Sequence, residues 1–162
     1  MIKTGKEHLS QLRDGRVVYI GDEKIDDVTT HPAFEKAAQK VAELYDIKHQ
    51  EIYKDVLSYE ENGELCSTWF LQAKNKSDLR KRSKAHKVIA DQTSGMMGRS
   101  MDHVASFVTG MSTNPDIFDS GKYKFKENLL NYYKYMKKND VFASYAVVPP
   151  QAARNPEFYQ KQ

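Results

Sequence analysis

Between Ser77 and Lys138 apolar residues recur at helical spacing in three runs, with glycine or proline punctuating the gaps between them. The first covers Ser77 to about Ser94 and breaks at Gly95 and Gly98. The second resumes at Ser100 through Val104, Phe107, Val108 and Met111, and Asn114-Pro115 closes it. The third covers Phe125 to Lys138, with Leu129, Leu130, Tyr132, Tyr133 and Met136 as its apolar stripe. Val141 to Val148 then reads as extended chain entering Pro149-Pro150.

The front of the chain adds shorter pieces. Thr4-Gly5-Lys6-Glu7 has the spacing of a capping box that opens a helix through Leu9 and Leu12, ended by Asp14-Gly15. Val17-Val18-Tyr19-Ile20, the turn Gly21-Asp22 and Lys24-Ile25 form a small hairpin pattern. Pro32 suits the first turn of a helix carrying Phe34, Ala37, Ala38, Val41, Ala42 and Tyr45 inward and ending near Asp46. Val56 to Glu60 and Leu65 to Phe70 flank Glu61-Asn62-Gly63-Glu64, an Asn-Gly turn between β-prone runs. The expected fold class is mainly α with small β-hairpins, without internal repeat or linker.

A chain of 162 residues with 40% hydrophobic residues can bury one modest core, so residues 1–162 read as a single soluble domain. No stretch nears eighteen apolar residues, and Met1 to Glu7 lacks the apolar run of a secretory signal, so a cytoplasmic location without membrane contact is expected. Cys66 is the single cysteine, which excludes an internal disulfide and favours a buried strand position. Lys74 to Lys87 holds seven Lys or Arg against one Asp, although the formal net charge of the whole chain is only +3. Leu79, His86, Ile89 and Ala90 can share the inward face there while the basic residues fan outward as a solvated surface. No zinc-finger, helix-turn-helix or aromatic RNA-binding pattern accompanies the charge, which argues against nucleic acid.

Nucleotide and hydrolase signatures are missing: no P-loop, G-x-G-x-x-G, G-x-S-x-G or H-E-x-x-H occurs. The five histidines lack ligand spacing, so no metal site is expected. What remains is a split ligand-site pattern: Gly95 to His103, followed by Pro149-Pro150-Gln151-Ala152-Ala153-Arg154. Glycines permit close backbone approach, and Arg99 at a helix start can hold an anion. His103 lies one turn beyond Arg99, on the same face, where it can share a ligand with it or simply be solvated. Asp102 reads as a first-turn carboxylate facing the helix dipole.

Thr4-Gly5-Lys6-Glu7, Leu12 to Arg16, Asp26 to Phe34, Gly98 to Asp102, Asn131-Tyr132-Tyr133 and Pro150-Gln151 with Arg154 occur in an order that resembles the amino-terminal region of the 4-hydroxyphenylacetate 3-monooxygenase family. These are oxygenase components of two-component aromatic hydroxylases, and the resemblance covers essentially the whole chain. It implies an acyl-CoA-dehydrogenase-like amino-terminal helical domain, with a central β-domain and a carboxy-terminal helical, tetramer-forming domain outside this sequence. It also implies FAD, reduced by a separate NAD(P)H-dependent flavin reductase, as the cofactor that activates oxygen and places a hydroxyl ortho to a phenol's own.

Carried over residue by residue, the phenol site falls on Arg99, Ser100, Met101, Asp102, His103 and Tyr145, with Arg99, His103 and Tyr145 as the catalytic set. The flavin contacts fall on Gln151, Ala152, Ala153 and Arg154. The family commonly has tyrosine where this chain has His103 and histidine where it has Tyr145, so the two types are exchanged. Met101 replaces a frequent proline. A 4-hydroxybutyryl-CoA dehydratase, of similar fold, uses cysteines in this region, and none stands near Arg99. Two expectations follow, a part of a hydroxylase competent only with further domains and a free-standing, non-catalytic binding module.

Overall fold

The computed structural model describes residues 2–97 and 100–145. Helix α1, Gly5–Gln11, starts at the expected capping box: Glu7 N–H donates to Thr4 Oγ1 at 3.2 Å and Thr4 N–H donates to Glu7 Oε2 at 2.7 Å. Gly5 also lets α1 lie directly against helix α2, Glu35–Asp46, where its N–H donates to Asp46 Oδ1 at 2.7 Å. Strands β1, Val18–Ile20, and β2, Glu23–Ile25, form the first hairpin as expected. Pro32 does not enter α2; the chain makes a turn first, because the His31 carbonyl accepts from Phe34 and Glu35 N–H groups and holds the helix start back to Glu35. Of the stripe anticipated for α2, Val41, Ala42 and Tyr45 are buried, whereas Ala37 is exposed.

A helix stands where the β-prone run begins. Val56 and Leu57 close α3, Glu51–Leu57, rather than a strand, because the core takes the fully buried Leu57 from the helix end. Strands β3, Ser58–Glu61, and β4, Glu64–Ser67, follow, with Asn62 at φ 54° and Gly63 at φ 78° making their turn. Cys66 is buried in β4. The strand ends at Ser67, and Thr68–Phe70 coil into a 3-10 turn. That buried turn is a hub. Trp69 O accepts from Arg82 Nη1 at 2.9 Å and Thr109 Oγ1 at 3.0 Å, and Phe70 O accepts from the Tyr133 hydroxyl at 2.7 Å.

These donors lie on the three long helices α4, Lys76–Gln92, α5, Met101–Ser112, and α6, Lys126–Asn139, which end within two residues of the expected boundaries. The inward face of α4 differs from expectation. Ala85 and Ile89 are buried, but Leu79 is 59% exposed and Ala90 is exposed, because half-buried Arg82 leads the packed face instead. Its guanidinium reaches the carbonyls of the hub, which an apolar Leu79 cannot satisfy. Most other basic residues of α4 form the solvated surface anticipated. On α6, Tyr133 and Met136 are buried while Tyr132 turns outward.

Helix α4 stops where Ser94 and Gly95 both adopt positive φ, and α6 stops at Asp140, φ 44°. Asp140 is buried and joins distant parts of the chain: its carboxylate pairs with the buried Lys48 amine and accepts from Ser67 Oγ at 2.6 Å and Lys3 N–H at 2.9 Å. Residues 141–145 leave this anchor without regular structure; the rest of the run expected to be extended, 146–148, lies outside the described residues. No described helix is long and apolar enough to cross a membrane.

His8 stacks on Tyr45 with ring centroids 4.9 Å apart, and burial, with Lys3, Lys48 and Arg16 nearby, lowers its imidazole from 6.5 to about 4. Between those values the unfolded chain holds a proton that the folded chain excludes. Stability is therefore fully present above pH 6.5 and falls as pH drops toward 4. Urea titrations across that window should show the slope, and His8→Phe, which keeps the stack but cannot titrate, should flatten it by about one proton.

Candidate functional site

The turn after α4 and the first two turns of α5 enclose an open cleft of about 500 Å³, a size suited to a small ring compound. His86, Met97, Asp102, His103, Ser106 and Phe107 contribute to its lining. Helical spacing explains the α5 wall, since residues 103, 106 and 107 fall on one face.

At one edge, Tyr145 comes back from the end of the described chain. Its hydroxyl and His103 Nε2 are 3.2 Å apart and share a hydrogen bond whose direction depends on the imidazole tautomer. Phe107 meets both rings edge-on, with centroids 5.1 Å from His103 and 6.2 Å from Tyr145. The two catalytic candidates separated by 42 residues in sequence are therefore in contact. A hydroxyl and an imidazole are thus delivered to one place.

Asp102 is buried in the first turn of α5, and does more than face the helix dipole. His86 Nδ1 donates to its Oδ2 at 2.5 Å and Ser100 Oγ donates to its Oδ1 at 2.7 Å. Burial pushes this carboxyl up, but the hydrogen bonds from His86 and Ser100, together with the electrostatic pull of His86 and a backbone hydrogen bond, hold it below the ordinary carboxylate value. On its far side His86 Nε2 lies 3.3 Å from Ser106 Oγ, which accepts from Arg82 Nη2 at 3.0 Å. A continuous polar chain thus runs from the hub through the cleft wall to the start of α5.

Of the anticipated phenol-site residues, His103 and Tyr145 meet at the cleft edge, and Ser100 and Asp102 line it. Met101 is instead fully buried in the core. Gly98, Arg99 and the flavin candidates Gln151, Ala152, Ala153 and Arg154 lie outside the described residues. Reading the sequence missed Arg82, His86, Ser106 and Phe107 as parts of the site. Arg82 and His86 at i and i+4, and His103 and Ser106 at i and i+3, carried the signal, since polar residues so spaced face the same neighbour. Among the described residues, no cluster of three or more His, Cys, Asp or Glu is arranged to hold a metal ion.

A family model described as 4-hydroxyphenylacetate 3-hydroxylase N terminal matches residues 4–162. The oxygenase component of 4-hydroxyphenylacetate 3-monooxygenase from Thermus thermophilus is 40% identical to this chain over 156 residues, 95% of this chain and 31% of that protein. The oxygenase component of 4-nitrophenol 2-monooxygenase from a Rhodococcus species is 37% identical, covering 94% of this chain and 29% of its own length. Among solved structures, the oxygenase component of 4-hydroxyphenylacetate 3-monooxygenase complexed with FAD and 4-hydroxyphenylacetate superposes with a TM-score of 0.86 at 38% identity, over 96% of this chain and 32% of that one. The chain thus spans about a third of the length of the curated relatives it matches.

Proposed function

The chain belongs to the 4-hydroxyphenylacetate 3-hydroxylase N-terminal family, and on that premise we propose that it supplies the phenol-holding part of a reduced-FAD-dependent monooxygenase that hydroxylates a ring ortho to its hydroxyl. The observation that carries this reading is the meeting of His103 and Tyr145 around Phe107 at the mouth of the cleft. Phe107 offers an edge to a stacked or tilted ring, and the imidazole and hydroxyl offer a donor and an acceptor to a phenol oxygen. Arg99, next in sequence to the cleft residue Ser100, adds a permanent positive charge for a phenolate.

Gln151 and Arg154 bring an amide and a guanidinium, whose hydrogen-bonding chemistry suits the carbonyl groups and phosphates of FAD, and Ala152 and Ala153 between them carry only small side chains. Reduced FAD, when bound, supplies the oxygen activation. The protein's share is to orient the phenol and keep water away from it. Exposed Phe107, Ile117, Tyr123 and Phe125 present apolar surface that further domains of a complete hydroxylase would cover. Turnover accordingly needs those domains, a reductase partner and oxygen, while ligand binding by this part alone is weak but saturable.

Anaerobic titration with reduced FAD, with and without 4-hydroxyphenylacetate, tests the proposal. Saturable binding by the wild-type chain, weakened about tenfold or more by Arg99→Ala for the phenol and by Arg154→Ala for the flavin, is expected; each such loss corresponds to about 1.4 kcal/mol. Titration curves that both substitutions leave unchanged would remove these residues from the site.

A further inference from the structure

The polar chain behind the cleft joins two ends of fixed character. Arg82 is only a donor and ionised Asp102 only an acceptor, and Ser106 and His86 between them can each donate and accept. Arg82 Nη2 donates to Ser106 Oγ at 3.0 Å and His86 Nδ1 donates to Asp102 at 2.5 Å; Ser106 Oγ and His86 Nε2 lie 3.3 Å apart, and with the imidazole hydrogen on Nδ1 alone the serine hydroxyl is the donor. In that tautomer His86 Nε2 is the acceptor end of a serine hydroxyl. Ser106 and His103 lie three residues apart on α5, so a phenol oxygen held at His103 is within reach of the same helix face as Ser106.

We infer that Ser106 and His86 form a proton relay for a phenol bound in this cleft, so that the ligand is held there as its phenolate. The phenol O–H bond breaks and its proton passes to Ser106 Oγ, while the Ser106 proton passes to His86 Nε2. Net, one proton passes from the phenol to His86, and no electrons are exchanged. The resulting imidazolium is paired with Asp102, and the phenolate lies one hydroxyl away from the Arg82 guanidinium. A phenolate ring is richer in electrons than a phenol, which is what an electrophilic oxygen transfer to the ring needs. The inference rests on the phenol-holding reading above. Among the described residues, Ser100 and His103 are the other polar groups lining the cleft, and Tyr145 meets His103 at its edge.

The test uses 4-nitrophenol, whose phenolate is yellow and whose neutral form is not, at a pH below its solution pKa. Calorimetry measures binding, and absorbance measures ionisation of what is bound. The wild-type chain is expected to raise the phenolate-to-phenol ratio of the bound ligand about tenfold over that in solution, one pKa unit or 1.36 kcal/mol. His86→Asn keeps a donor for Asp102 but has no basic nitrogen, and Ser106→Ala keeps the His86–Asp102 pair but cuts the relay. Both should bind 4-nitrophenol without the rise in yellow form. Binding by the wild type with the solution ratio, or an undiminished rise in folded His86→Asn, overturns the relay and leaves the phenol-holding reading standing. No heat of binding from the folded wild type overturns both.

Discussion

Asp140→Ala is expected to lower stability by about 3–5 kcal/mol, because it leaves a buried cation without its counter-charge. Lys48 is 0% exposed, and its amine lies 4.1 Å from the Tyr45 ring centroid, packed under aromatic groups rather than facing water. Burial pushes this amine down to about 8 even with Asp140 beside it. Without the carboxylate, Ser67 Oγ at 3.2 Å is the remaining hydrogen-bonding partner, and the Lys3 N–H also loses its acceptor. Alanine is further disfavoured at the φ of 44° that Asp140 adopts, by roughly 1 kcal/mol. For a chain of this size such a loss is a drop of roughly 6–20 °C in Tm. Adding Lys48→Met to Asp140→Ala should recover part of it, since an apolar replacement removes the stranded charge.

That anchor also governs the cleft. Asp140 ends α6, its carbonyl accepts from the Tyr45 hydroxyl at 2.9 Å, and the next N–H, of Val141, donates to Met136 O at 3.1 Å. The exit angle of residues 141–145 is fixed by these bonds, and it is this path that brings Tyr145 to His103.

Gly5→Ala is expected to be the second most damaging change, by about 1–3 kcal/mol, for a steric reason. An added Cβ would come 2.5 Å from Ala42 O and 2.6 Å from Asp46 Oδ2. The first of these is backbone within α2 and cannot turn aside, so α1 would have to shift and lose the Gly5–Asp46 hydrogen bond. Gly110→Ala is the control. It lies within α5 with nothing inside 4 Å of the added Cβ, so the same substitution should stabilise by up to about 1 kcal/mol through helix propensity. Thermal melts of the two variants should move in opposite directions.

Elements whose signals are local were legible in the sequence. The capping box at Thr4, the Asn62-Gly63 hairpin and the three long helices each depend on residues close in the chain, and each formed where its pattern lay. The errors came where tertiary packing outweighed local preference: Val56 and Leu57 end a helix because the core takes Leu57 there, and Arg82 displaces Leu79 from the packed face because buried carbonyls need donors. The resemblance to the hydroxylase family paired His103 with Tyr145 as an expectation, and the two side chains are in contact. The partnership of Asp102 with His86 was not legible, since those residues lie sixteen apart on separate helices and become neighbours only after α4 and α5 pack on the Thr68–Phe70 turn.

The central claim is that the cleft beside His103 and Tyr145 holds a phenol. The anaerobic titration with 4-hydroxyphenylacetate tests it most directly when followed by side-chain NMR on the 162-residue chain. The account predicts saturable binding, about millimolar for a site with one open wall, or roughly −4 kcal/mol, with shifts centred on His103, Phe107 and Tyr145. A folded chain that shows no saturable shift at those three rings, or shifts them only together with residues far from the cleft, would contradict it.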